Sequence, residues 1–188
     1  PGPTPPSPSS VAVPRPDVGP LPTPQSVVDK MLEMAQIKPG DVVYDLGCGD
    51  GRILVTAAKK YGVKAVGYDI DPVCVGESRS NAVAKGVAHL VTVHEGDVFK
   101  VDLSPASVVT LYLLPELNVR LMPQLAKLKP GSRIVSHDFD MRGAVPTEVH
   151  RMTAAWEFPK RLIDQTQSRG GALPPLPPPT PRTHTIYK

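Results

Sequence analysis

Val27, Val28, Met31, Leu32 and Ala35 recur at the three- and four-residue spacing of a helix face. The pattern predicts a first helix opened by Thr23-Pro24, with threonine as a candidate cap, and closed by Lys38-Pro39-Gly40. The period then switches. Asp41–Leu46 is a short β-branched run that reads as a buried strand, Gly47–Gly51 is a glycine loop, and Arg52–Tyr61 reads as a helix. The alternation repeats: strand Lys64–Tyr68, helix from Asp71-Pro72 to about Lys85, strand Leu90–His94, strand Ser107–Leu113, helix Pro115 to about Leu128, strand Arg133–His137. Strands alternating with helices build a parallel sheet covered on both faces. After Asp140 no clear helix separates the strand-like runs Glu148–Trp156 and Thr183–Tyr187, and these pair most easily as an antiparallel edge hairpin. The expectation is a single α/β fold: a Rossmann-like, doubly wound, seven-stranded sheet, mostly parallel, with an antiparallel C-terminal edge hairpin.

Composition changes this picture at two places. Of the 24 prolines among 188 residues, ten lie in residues 1–24 and six in 174–181. The chain is therefore read as a flexible Pro-rich leader over 1–20 and a domain over 21–188 that carries a Pro-rich insertion at 172–182. Its longest uncharged apolar stretch, Leu103–Pro115, is 13 residues and broken by prolines and hydroxyls, too short to span a bilayer. Two cysteines exclude a disulfide scaffold and a cysteine-based zinc site. A net charge of +3 without a long Lys/Arg run gives no support for nucleic acid as partner. The chain is read as cytoplasmic.

Ligands of a doubly wound sheet bind at the carboxyl ends of the strands, so the residues at those ends carry the chemistry. The first strand ends Asp45-Leu-Gly47-Cys-Gly49-Asp-Gly51, with alternate glycines that let the backbone turn and approach a ligand. The second ends at Asp69, 18 residues past Gly51, suited to a ribose diol. The third ends at Asp97, placed to accept from an exocyclic amine. A dinucleotide fingerprint fails because Arg52 stands where its last glycine should be, and no P-loop Gly-Lys-Ser/Thr follows. Asp45 and Asp50 would repel a pyrophosphate but suit a sulfonium and an α-amino group, which points to S-adenosylmethionine.

Val42-Val-Tyr-Asp-Leu-Gly-Cys-Gly-Asp-Gly-Arg-Ile53 resembles motif I of class I, seven-β-strand methyltransferases, and Gly67-Tyr-Asp-Ile-Asp-Pro72 resembles their next, acidic motif. Val108–Asn118 and Lys129–Asp140 are similar to the small lysine methyltransferases that include a broad-specificity archaeal enzyme and the mitochondrial enzymes acting on the adenine nucleotide translocase and the ATP synthase c-subunit. The likeness resumes at Arg182–Tyr187. It implies that Asp45 and the backbone of Gly47, Gly49 and Gly51 hold the methionine part of the cofactor, with Tyr44 counted among the motif I residues. It further implies that Asp69 holds the ribose, that Ile70 packs on the adenine, that Asp97 with the Val98 amide reads its edge, and that Thr23 sits near the cofactor carboxylate. Pro20 stands where the family often carries a tyrosine.

The acceptor side is less specific. Tyr112 at the fourth strand end and His137 at the fifth are candidates for positioning the acceptor, each with an equally ordinary reading as packing. The fourth strand lacks the Asn-Pro-Pro-Tyr turn of enzymes that methylate adenine or glutamine amides. His137, Asp138 and Asp140 are read as polar packing, with no metal; Cys48 as a small loop residue; Trp156 as packing for the hairpin; Met31 and Met34 as core. The function expected is methyl transfer from S-adenosylmethionine to a protein lysine amine. The rivals are a small-molecule N- or O-methyltransferase and a non-catalytic cofactor-binding module.

Overall fold

The computed structural model describes residues 21–156, residue 164 and residues 180–188. The leader read over 1–20 and most of the Pro-rich insertion lie outside the described residues. Twelve elements follow in chain order: α1 (Gln25–Met34), β1 (Val42–Leu46), α2 (Arg52–Tyr61), β2 (Lys64–Asp69), α3 (Pro72–Ala84), β3 (Val91–Glu95), a 3-10 turn (Val98–Lys100), β4 (Val108–Leu111), α4 (Pro115–Leu125), β5 (Arg133–His137), β6 (Val149–Ala155) and β7 (Pro181–Tyr187). They build one seven-stranded sheet in the order β3-β2-β1-β4-β5-β7-β6. The first five strands are parallel, and β7 pairs antiparallel with both β5 and β6. The expected architecture is therefore present, hairpin included.

Three local expectations change. Thr23 does not cap α1: Pro24 holds the cap position and no side chain bonds the first-turn amides. β4 is shorter than its hydrophobic run, because Tyr112 and Leu113 leave the ladder before α4 starts at Pro115. β7 begins at Pro181, inside the stretch read as insertion. Proline is tolerated there at the strand's first residue.

Side-chain alternation along the central strands divides the core in two. Val43, Val108 and Val135 pack with Val27, Met31 and Leu32 of α1 and Leu54 and Ala57 of α2. Tyr44, Leu46, Val109 and Leu111 pack on the other face with Leu121 and Leu125 of α4. That alternation sends Tyr44 away from the strand end. Its ring is buried against Tyr68, with centroids 6.1 Å apart, and belongs to the core on the α4 face. No helix among the described residues is long and apolar enough to cross a membrane.

Candidate active site

Strand order carries the candidate residues into line. Asp97, Asp69, Asp45, Tyr112 and His137 stand at or just past the carboxyl ends of β3, β2, β1, β4 and β5, and those five strands are successive neighbours. The order in which successive strands are laid down reverses between the parallel neighbours β1 and β4, where an open α/β sheet splays its loops apart and leaves a crevice.

The glycine loop is built against the end of β2. Gly47 and Cys48 amides donate to the Tyr68 carbonyl at 2.8 and 3.0 Å, and the Gly49 amide donates to Asp69 at 2.9 Å. Gly47, Gly49 and Gly51 have φ of 78°, 55° and 80°, the left-handed region. From α3, Ser78 donates to the Gly49 carbonyl at 2.7 Å and Asn81 to the Asp50 carbonyl at 2.8 Å. Nothing stands within 4 Å of where a Cβ on Gly49 would project, so the loop leaves open space at its tip.

Asp45 is buried under this loop and accepts from Thr110 of β4 at 2.8 Å. Burial pushes its carboxyl up to about 7, with the nearby charges of Asp69 and Asp50 adding to the rise and the Thr110 bond opposing it. A carboxyl so placed favours a cationic partner. Arg52 pairs with Asp50 through Nε and Nη2, the latter at 2.7 Å, so a cation already stands against that carboxylate. Burial also pushes the Cys48 thiol up to about 12, so it is no nucleophile.

Asp69 accepts from the Gly49 and Asp71 amides at 2.9 Å each, one to each carboxylate oxygen, and each oxygen keeps a further lone pair. Ile70 beside it is 75% exposed, an apolar surface next to the carboxylate. Asp97 accepts from the Phe99 amide at 2.9 Å and so caps the 3-10 turn that Val98 begins. Thr23 is buried and bonded to His137 Nδ1 at 3.0 Å, and its carbonyl accepts from Arg52 at 3.0 Å. A glycine cradle, a buried carboxylate that favours cations and an acid next to an exposed apolar side chain fit the sulfonium nucleoside expected from the sequence.

At the other end, Tyr112 stacks on His137 with ring centroids 4.2 Å apart, and Phe139 and Trp156 stand 5.9 and 6.2 Å from Tyr112. Burial and the Asp138 charge raise the Tyr112 hydroxyl above its ordinary value. His137 is fully buried, and burial pushes it down to about 4. Its Nε2 lies 2.8 Å from Nδ1 of His184, a β7 residue the sequence did not single out. Arg182 pairs with Asp138 and lies over the Trp156 ring, 4.5 Å from its centroid. Burial alone would raise Asp138, but the Arg182 pair and the Thr185 amide hold it below the usual carboxylate range. Among the described residues, His137, Asp138 and His184 each bring one potential ligand atom within 4.8 Å of the others. All three already have protein partners. Asn118 of α4 fixes the turn after β5 by donating to the Phe139 and Asp140 carbonyls at 3.3 and 3.1 Å.

An apolar cavity of about 260 Å³ lies on the other face of β5, against Ile134, Ser136, Met141, Val145 and Tyr187. Asp140 reaches it, but none of Asp45, Asp69 and Asp97 does.

The family described as the ANTKMT methyltransferase domain matches residues 45–148. A protein-lysine N-methyltransferase of Saccharolobus islandicus is 49% identical over 136 residues, covering 71% of this chain and 84% of the relative. The mouse adenine nucleotide translocase lysine N-methyltransferase is 37% identical, covering 65% of this chain and 53% of the relative. The chain thus spans most of the archaeal relative and about half of the mouse one. A crystal structure described as an RNA methyltransferase from Salinibacter ruber, solved with S-adenosyl-L-homocysteine, is 42% identical with a TM-score of 0.71, covering 89% of this chain and 91% of that one.

Proposed function

The chain belongs to the ANTKMT methyltransferase family of S-adenosylmethionine-dependent enzymes, and from that premise we propose that its acceptor is the side-chain amine of lysine in a protein. When bound, the cofactor supplies a methyl group on a sulfonium. Asp45 and the loop of Gly47, Gly49 and Gly51 would hold its amino-acid portion, Asp69 the ribose, and Ile70, Asp97 and Val98 the adenine. Replacing Asp69 with alanine removes charge-assisted hydrogen bonding worth about 1.5–3 kcal/mol in all, and with it the anchor of the Gly49 amide. Calorimetry is expected to show S-adenosylhomocysteine binding weakened by roughly 10- to 100-fold; unchanged binding would remove Asp69 from the site.

The observation that carries the lysine reading is the wall of Tyr112, Phe139 and Trp156 beside an imidazole whose two nitrogens both serve protein partners. An aromatic wall packs the aliphatic stem of lysine and excludes water. His137 has no nitrogen left to take a proton from the acceptor, so the site aligns a nucleophile that is already neutral. Lysine near 10.4 is mostly charged at neutrality. With cofactor saturating, the methylation rate of a lysine peptide is expected to rise steadily from pH 7 to 9.5. A bell-shaped profile would instead demand a protein base and overturn the positioning account.

The Salinibacter structure favours a second reading, an RNA acceptor stacked on the same rings. The two readings separate in one experiment. Protein and RNA fractions of a cell lysate are incubated with methyl-labelled cofactor, then hydrolysed. Label in methyllysine supports the proposal, and label in a nucleoside overturns it.

A further inference from the structure

We propose that Thr23, His137 and His184 form a positioning chain that carries the placement of the β6–β7 hairpin to the glycine loop, so that hairpin residues set cofactor affinity without touching the cofactor. The inference rests on reading the glycine loop as the cofactor site.

Each hydrogen bond in the chain has only one possible direction. His184 Nε2 faces the Ala154 carbonyl of β6 at 3.1 Å, and a carbonyl only accepts, so Nε2 carries a proton. In a neutral imidazole Nδ1 is then an acceptor, and the His137 Nε2 that meets it at 2.8 Å must donate. An independent contact agrees: the same Nε2 lies 3.5 Å from the Asp138 carboxylate, another acceptor. His137 Nδ1 is therefore a lone pair, and the Thr23 hydroxyl at 3.0 Å gives its proton to it. Both rings are fully buried. The charged and titratable groups around them are Asp138 beyond β5, Arg182 on β7 and Tyr112 after β4. Arg182 is paired with Asp138, which spares the imidazoles a bare charge of either sign. Burial keeps both rings uncharged at neutral pH, as the chain requires.

The chain does not stop at Thr23. The carbonyl of that residue accepts from Arg52 Nη1 at 3.0 Å, and the same guanidinium grips Asp50 within the glycine loop. Hydrogen bonds thus run from β6 through β7, β5 and the start of α1 to the loop. The segment entering α1 has no side-chain cap, and its threonine is held by both its hydroxyl and its carbonyl. A shift of the hairpin that breaks the His137–His184 bond strands buried polar groups and releases Thr23, and with it Arg52.

His184 is the informative position, since it stands on the hairpin and its ring bonds His137 and the Ala154 carbonyl. His184→Leu is expected to weaken S-adenosylhomocysteine binding about tenfold by calorimetry, within the 5- to 150-fold span of ordinary couplings between sites. His184→Asn, whose amide oxygen can accept from His137, is expected to stay within about threefold of wild type. Thr23→Val breaks the chain further along, so adding His184→Leu to it is expected to cost nothing more; a purely local packing defect would add in full. In the ¹⁵N-histidine spectrum of the full chain at pH 7, His137 and His184 are expected neutral with the proton on Nε2. Wild-type affinity in His184→Leu, additive losses in the double variant, or a charged or Nδ1-protonated His137 would each overturn the chain. Wild-type protein that bound no S-adenosylhomocysteine would overturn the cofactor reading instead, and the imidazole spectra would still decide the chain.

Discussion

Gly51→Ala is expected to destabilise the cofactor-free protein by about 2–5 kcal/mol, against about 1–2 kcal/mol for Gly49→Ala. Both glycines are left-handed, at φ of 80° and 55°, so an alanine at either position carries the same kind of backbone strain. They differ in what a new methyl group meets. At Gly49 it meets nothing within 4 Å, whereas at Gly51 it would lie 2.8 Å from Ser78 Oγ, 2.9 Å from Ser78 Cβ and 3.0 Å from its Cα. A backbone atom of a helix cannot swing aside. Ser78 is fully buried, and its hydroxyl holds the Gly49 carbonyl at 2.7 Å, so any relief moves α2 away from α3 and loosens the loop. Overpacking of this kind costs about 1–3 kcal/mol beyond the backbone term. Urea midpoints of the two variants isolate it. If Gly51→Ala were no less stable than Gly49→Ala, close packing of α2 on α3 would not be why that position is a glycine.

The features the sequence could disclose were those with a short-range cause. Period and punctuation placed every strand to within a few residues, because β-branched runs stop at Gly, Pro and Asp whatever lies around them. Asp45, Asp69 and Asp97 could be read because each stands within two residues of a strand's carboxyl end, and parallel topology brings such residues to one edge. The misreadings have long-range causes. Thr23 looked like a helix cap, and a cap is what threonine before proline offers locally; a histidine 114 positions away takes its hydroxyl instead. The packing of Tyr44 was not legible either: it shares motif I with the strand-end residues, and its parity on β1 turns its ring into the core beneath α4. His184 could not be singled out until β7 was paired with β6 and set beside β5, which puts its ring against His137 across 47 residues. Arg52 disqualified a dinucleotide fingerprint, and nothing in that local test revealed that it pairs with Asp50 and ties the loop to Thr23. One signal was available: histidine recurring in strands at both sides of a proposed sheet edge.

Asp45→Asn is expected to make the cofactor-free protein more stable at pH 8 while weakening its grip on the cofactor. The folded carboxyl is pushed up to about 7 from an ordinary 3.8, chiefly by burial. A group whose value rises on folding favours the folded state while protonated. Its contribution is whole below about pH 3.8 and is lost as the pH climbs through about 7. At 1.36 kcal/mol per pH decade, a rise from 3.8 to about 7 is on the order of 4 kcal/mol. Asparagine keeps the shape, and its amide oxygen can still accept the Thr110 hydroxyl now bonded at 2.8 Å, but it holds no charge to desolvate. The two proteins are therefore expected to melt alike near pH 4 and to diverge up to pH 8, the variant gaining; titrating groups remote from Asp45 are common to both and cancel in the difference, while relief of its repulsion with Asp69 and Asp50 adds to the gain. Bound cofactor reverses the order. A cationic ligand over Asp45 stabilises the charged carboxylate that the empty fold disfavours, so saturating S-adenosylmethionine should raise the melting temperature of wild type far more than that of the variant. A variant less stable than wild type at pH 8 without ligand would show that the carboxylate is already stabilised by the fold. Equal stabilisation of the two proteins by S-adenosylmethionine would show that the cofactor's positive charge is held elsewhere. The joint outcome, greater stability with weaker binding, is what separates a carboxylate kept for a cation from one kept for the fold.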